Sequence, residues 1–421
     1  MYTQIRPIFS LLAGVTLLLL GSGLLNTLLA IRGGVQGFSA EQMGLIMSGY
    51  FVGFFIGTFI ALPVIRRIGH IRTFAMFAAL ASVSVMLHDL MLTPWAWGGL
   101  RIVTGISLVT LYTVIESWLN AQTPAEQRGQ VFAVYMIVNL AALALAQQFL
   151  NLAPVDSYLL FAVATMLVTL SLVPVTWTRL APPEVQTVKR LGVRFLWRIA
   201  PVAVAGAGMS GLAMGAFWGM SAVYGTSVGL DTASIALLVT SGIIGGAVLQ
   251  YPLGRLSDRF DRRRVLAWSA GVAAFSALTL IPASYLGPQA LFAAMAVYGG
   301  LAFCAYPIAV AHLIDHLEGP DILAGGSAIL LVHGVGAAIG PALAGQLMAL
   351  GGANALPVYF AAMQGGLVLL AVWKMHQRTV EEPTGEPAHF VPMVRTTPTA
   401  LEMHPDELTE ELSDSPEKLA S

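Results

Sequence analysis

Charge is scarce in this chain. Asp, Glu, Lys and Arg make up 10% of its 421 residues, where a soluble protein carries about 25%. Apolar residues make up 57%, and the mean hydropathy is +0.76. That balance excludes a water-soluble globule and predicts a chain immersed in a membrane. Cysteine is all but missing. The single Cys304 sits in an apolar stretch, so no internal disulfide can form and no metal site can be built on clustered thiolates. No glycine-rich phosphate loop ending in Lys-Ser or Lys-Thr occurs, which excludes an ATP motor within this chain. No His-Glu-x-x-His occurs either. Neither an enzyme activity, a cofactor, a metal nor a nucleic-acid partner is expected.

Long apolar runs take the place of charge. A helix needs about 20 residues to cross the hydrocarbon of a bilayer. Twelve runs reach that length: 8–31, 43–65, 73–92, 96–118, 130–151, 157–178, 200–224, 233–253, 265–286, 289–314, 327–350 and 355–375. The first is longer than the apolar core of a signal peptide, and it is read as an uncleaved span. The expected fold is therefore an all-α membrane protein with twelve transmembrane helices and lipid around it. An even number of spans returns both termini to one side. With Arg6 inside, 19 of the 21 Lys and Arg fall on that side, which the positive-inside tendency assigns to the cytoplasm. The exceptions are Arg32, outside, and Arg101, within a helix.

The longest internal loop carries Ala-Pro-Pro and several basic residues. It divides the chain into a six-helix half at 1–178, a basic linker at 179–199 and a second six-helix half at 200–375. The halves echo one another: Ser48-Gly49 in the first matches Ser241-Gly242 in the second, and Glu116 matches Asp315. Two parallel repeats would show such an echo. The remainder, 376–421, holds ten acids against three basic residues together with six prolines. It reads as an acidic, disordered tail.

The most charged stretch is Gly254–Arg264, with five arginines in eleven residues. Each would cost roughly 2.5–3.5 kcal/mol at mid-bilayer, so the stretch is expected to be a tight turn between two spans. Gly254, Asp258, Arg259, Arg263 and Arg264 resemble the Gly-x-x-x-Asp-Arg-x-Gly-x-Arg-Arg loop signature of the major facilitator superfamily. Asp261 stands where that signature has its second glycine, and the first-half turn has Arg66-Arg67 where the second has Asp258. Arg101-Ile-Val-Thr-Gly105 resembles the helix-four signature of proton-coupled members. Gly340-Pro341 through Gly345 resembles the Gly-Pro-x-x-x-Gly helix-bending pattern of the superfamily. Glu116-Ser-Trp-Leu and Tyr306-Pro-Ile-Ala are similar to the YcaD-type branch of bacterial permeases.

Polar residues inside spans mark the candidate site. Arg101, Gly105, Leu108, Tyr112 and Glu116 fall at helical steps and share one face. Arg101 is either a fixed charge at a central cavity or an interfacial arginine reaching out to Glu41 or Asp89. Glu116 is either a proton-carrying carboxyl or a partner of Arg128, Arg66 or Arg67 in a cytoplasmic gate. Asp315 and Asp89 are the next proton candidates. His333 lies nearest mid-membrane, where a hydrogen-bonded structural role competes with titration. The resemblance makes helices one, four, seven and ten the cavity walls, which adds Asn26, Trp218, Tyr298 and Tyr306. It assigns the cytoplasmic gate to Asp258 and its neighbouring arginines.

The resemblance implies a monomeric secondary transporter of the bacterial plasma membrane, moving a small organic solute by alternating access with protons. Missing Asn-x-Ser/Thr sequons fit that location. Few charges at the cavity favour export of an amphipathic compound over uptake. A transporter-like receptor signalling through the tail is the alternative.

Overall fold

A computed structural model describes residues 2–124, 127–177, 191–318, 321–377, 390–393 and 397, with side chains from Ile8 onward. Fourteen α-helices account for it. They are α1 (Tyr2–Val35), α2 (Ala40–Ile68), α3 (His70–Leu90), α4 (Pro94–Gln122), α5 (Arg128–Gln148), α6 (Leu159–Leu170), α7 (Leu172–Thr176), α8 (Val193–Ile199), α9 (Pro201–Ser227), α10 (Thr232–Arg259), α11 (Arg262–Leu286), α12 (Pro288–Ile314), α13 (Asp321–Gly351) and α14 (Ala355–His376). Twelve spans are long and apolar enough to cross a membrane, α6 and α7 counting as one. Each of the twelve apolar runs falls on one of them.

The helices begin where the sequence offers caps. Ser39 and Gln42 form a reciprocal capping box at α2. Thr93 caps α4 just ahead of Pro94, and Asp231 caps α10. Single glycines turn the chain between α2 and α3 and between α11 and α12. Gly69 has φ 82° and Gly287 φ 115°, where a side chain would be strained.

Several helices outrun their apolar stretch. α2 has 29 residues, or about 43 Å at 1.5 Å per residue, against a hydrocarbon thickness of about 30 Å. The charged stretch Gly254–Arg264 is consequently not a loop. α10 runs on to Arg259 and α11 starts at Arg262, so only Phe260 and Asp261 connect them. Asp261 has φ −50° and accepts from the Arg263 backbone N–H as the cap of α11. Its backbone needs no glycine. Partial burial opposes the charge on Asp261, but hydrogen bonds and positive charge from Arg263 outweigh it and hold the carboxyl below its ordinary pKa. The cap therefore stabilises α11 at neutral pH and is lost as the pH falls through that lowered value.

Alternation of the spans collects Arg66, Arg67, Arg72, Arg128 and the arginines of 255–264 on one face, called the basic face here. Equivalent helices pair within each half: α2 lies on α4 in the first, and α10 lies on α12 in the second. Gly49, Gly53 and Gly57 sit against Gly98, Ile102 and Ile106 of α4, and Gly105 sits against the Tyr50 and Phe54 backbone. Gly245 and Gly299 do the same between α10 and α12. Small residues at four-residue spacing permit this approach. The halves join chiefly through α2 with α13, α5 with α10, and α1 with α9. Spans α1, α4, α9 and α12 are the most enclosed, 67% to 83% buried against 33% to 50% for the others.

Two expectations change in detail. The linker is helical at its end, where Val193–Ile199 forms α8 with Leu196 buried; 178–190 lies outside the described residues. The tail does not hang free throughout. Phe390–Met393 and Thr397 pack into the body, Val391 at 8%, Met393 at 4% and Thr397 at 0% exposure. Three of these five side chains are large and apolar, so contact with the protein removes them from water. His376 closes α14 and Gln377 follows it; the rest of the tail lies outside the described residues.

A cavity between the halves and its polar anchors

Between the halves lies a cavity of about 900 Å³, part of it open to bulk. Its walls come from α2, α9, α12 and α13. Tyr50, Phe51, Phe54 and Phe55 line one side; Trp218, Phe303 and Tyr306 line the other. Trp218 and Phe303 meet edge to face at 5.8 Å. The side chains with polar groups are few: Tyr50, Thr58, Trp218, Tyr306 and His333. His333 Nδ1 lies 3.3 Å from the Ala207 carbonyl, and its ring lies 4.3 Å from that of Tyr306. The Tyr306 hydroxyl is buried and has no hydrogen-bond partner among the described residues. A solute reaching it gains an interaction that the empty protein leaves unmade.

Of the five aromatic and polar cavity candidates, Trp218 and Tyr306 line this space. Asn26 touches it indirectly. Its side-chain amide donates to the Trp218 carbonyl at 2.6 Å, and its oxygen accepts from Arg101 Nη2 at 2.7 Å. Tyr112 is packed inside the first half, 3.5 Å from the Ser22 hydroxyl, and Tyr298 inside the second, stacked on Phe360. Arg101 does not reach outward. It is 1% exposed, with its guanidinium carbon 4.6 Å from the centre of the Tyr50 ring. Asp89 lies 3.6 Å from Arg32 instead. Arg101, Asn26 and the Trp218 backbone thus form a relay from α4 through α1 to α9, across the boundary between halves.

Other contacts between the halves gather at the same end, away from the basic face. Gly44 lies against the Pro341 carbonyl and Gly345. The Ser48 hydroxyl accepts from the Ala342 N–H at 3.0 Å, and Gln148 donates to Thr240 at 3.1 Å. Gly340, Pro341 and Gly345 therefore sit at the seam of α13 with α9 and α2, in a helix assigned without a break.

At the basic face the polar contacts described are of another kind. Glu116, fully buried, accepts from the Tyr135 hydroxyl at 2.8 Å and from the Thr397 N–H at 3.3 Å; the Thr397 hydroxyl also donates to it. In the second half Arg262 is the centre. Its Nε donates to Asp315 at 2.7 Å, and its Nη1 donates to Asp258 at 3.1 Å and Ser257 at 3.3 Å. Arg263 pairs with Asp261 at 3.1 Å, and Arg259, Arg264, Arg66 and Arg67 are exposed. Arg128 is half-buried at the start of α5. Asp258 also accepts from the Phe390 N–H at 3.0 Å.

Four groups were missed in the sequence. Arg262 was one arginine among five, and only the phase of α11 turns it inward. Phe51, Phe54 and Phe55 carry no polar group to single them out within an apolar span, although their three- and four-residue spacing puts them on one side of α2. Tyr135 carries no charge to single it out. Phe390, Met393 and Thr397 lie in a region whose composition reads as solvated.

A model of the Major Facilitator Superfamily matches residues 203–404. The uncharacterized MFS-type transporter YcaD of Salmonella paratyphi A is 30% identical over 356 residues, covering 83% of this chain and 90% of that protein. Among solved structures, a mutant of the nucleoside transporter NupG superposes with a TM-score of 0.73 at 14% identity, over 88% of this chain and 99% of that one. A bacterial homologue of the human lysosomal transporter Spinster, inward-facing and occupied, gives 0.71 at 16%, over 90% and 98%. At those identities the two structures speak for the fold. With its twelve spans, its Gly254–Arg264 signature and a relative matched along most of both lengths, the chain belongs to the major facilitator superfamily, within the YcaD-type branch.

Proposed function

We propose that the protein is a secondary active transporter that exports a largely apolar, ring-bearing organic solute across a bacterial plasma membrane in exchange for protons. The observation that carries this reading is the cavity: an aromatic enclosure between two halves, with His333 and Tyr306 among its few polar groups. Aromatic walls reward a flat apolar ligand, and a few polar groups orient it. With the basic face in the cytoplasm, the contacts at the opposite end make this an inward-facing arrangement. Alternating access then requires the α2–α13 and α5–α10 seams to open as the basic face closes. Gly340, Pro341 and Gly345 sit where α13 would flex, and Asp258 with its arginines where the cytoplasmic gate would close.

Proton coupling is assigned to Glu116. It is a fully buried acid within an apolar span, where an ionisable residue marks a candidate functional site. Arg101 supplies a fixed charge toward the other end. Asp315 is a weaker candidate, because Arg262 already neutralises it at 2.7 Å. The test has two stages. Thermal-shift screening of the purified protein against metabolites and drugs identifies a solute, whose flux is then followed in proteoliposomes. Glu116→Gln is expected to abolish accumulation driven by a pH gradient while keeping solute exchange. Accumulation by Glu116→Gln with an unchanged pH profile would remove Glu116 from the coupling. In cells, single cysteines at 182–187 that react with an external impermeant maleimide would invert the orientation.

A further inference from the structure

We propose that the tail residues Phe390–Met393 and Thr397 form an autoinhibitory strap that narrows the basic-face mouth of the cavity and must leave before a solute can pass. The proposal rests on the transport reading above for its meaning, but its observations are independent of any solute.

The strap is held at both ends by different halves. At one end the Phe390 N–H donates to Asp258 of α10 at 3.0 Å. The Phe390 ring covers Gly254 so closely that a methyl group there would run into it. At the other end Thr397 gives both its N–H and its hydroxyl to one oxygen of Glu116 on α4. The other Glu116 oxygen takes the Tyr135 hydroxyl at 2.8 Å. Between the anchors, Met393 forms part of the cavity wall together with Trp218, Tyr306 and Thr58. Pro392 beside it fixes one backbone angle and carries no N–H that burial would leave wanting.

Asp258 and Glu116 are the two acidic residues that sequence reasoning placed in the gate and in the coupling. Each accepts from more than one donor in the seated arrangement. A free tail would supply no donor to them. Seated, the strap also limits movement. Seven residue steps span at most about 25 Å when fully extended, so α4 and α10 cannot part beyond that reach with both anchors engaged. Met393 meanwhile takes up part of the cavity wall.

The test reads access to the cavity and needs no solute. In full-length protein with Cys304→Ala, Thr58→Cys places one reactive thiol in the cavity wall. Its rate of labelling by a hydrophilic maleimide is measured in detergent with the strap intact, and again with Phe390→Ala and Thr397→Val. The double substitution is expected to raise the rate at least about tenfold, because it removes the Thr397 hydroxyl bond and the Phe390 ring contact together. A synthetic peptide with the sequence of residues 388–399, in excess, is expected to restore the slow rate. Equal rates with and without the strap contacts overturn the proposal. So does a fast rate that the peptide leaves unchanged, because that describes a loosened protein and not an opened mouth. Absence of flux in proteoliposomes alongside the expected labelling would sink the transport reading and leave the strap standing.

Discussion

Replacing Arg262 with alanine is expected to lower the stability of the second half by about 3–5 kcal/mol, the range for removing one partner of a buried ion pair. Arg262 is 5% exposed and Asp315 9%. The loss comes mainly from Asp315, whose buried charge forfeits its guanidinium at 2.7 Å. Asp258 contributes less, because its side chain is 28% exposed and water can replace the arginine. The double variant Arg262→Ala with Asp315→Ala should therefore recover most of the loss, while Asp258→Ala alone should change little. Arg262→Lys should recover only part, since an ammonium cannot serve Asp315, Asp258 and Ser257 in the fork geometry seen. Thermal unfolding followed by tryptophan fluorescence checks the ranking. An Arg262→Ala protein that melts with the parent would show that the cluster carries no stability.

Gly105→Val is expected to cost about 3 kcal/mol, the upper end for overpacking a close contact. The added Cβ would meet the Tyr50 carbonyl and the Phe54 backbone nitrogen. Backbone cannot rotate away as a side chain can, so α2 and α4 would have to separate. That separation also shifts Arg101, one turn earlier on α4, from Asn26 and the Tyr50 ring. Gly98→Val is the control. Nothing lies within 4 Å of a Cβ there, and the change should stay within about 0.5 kcal/mol. Equal melting of the two variants would mean that the α2–α4 contact yields without cost.

The span pattern was legible because hydropathy and basic residues obey strong rules: hydrocarbon rejects charge, and the basic loops share one side. The signature at Gly254–Arg264 pointed to a tight turn between two spans, and the turn is there, shortened to Phe260 and Asp261. Hydropathy ends where charge begins, whereas a helix continues as long as its backbone bonds are made. Which arginine turns inward depended on where Asp261 starts α11, and charge alone does not specify that. Glu116 stood out as an acid in an apolar helix. Its partners did not, since Tyr135 is 19 positions away and Thr397 281. The weight given to four central helices left out the phenylalanines of α2, which face the cavity because that helix also forms the seam with α13.

The glycine-lined crossings differ in where they fall, and that difference sets the rhythm of amide deuterium exchange. α2 with α4 and α10 with α12 meet backbone to backbone inside a half, so their amides should stay protected through every stage of a working cycle. The crossing of α2 with α13 is equally close but joins two halves, and the Ala342 amide spends its hydrogen bond on Ser48 across it. Protection around Ala342 should fall whenever the seam opens, so the uptake of deuterium at that position times how often the two halves part.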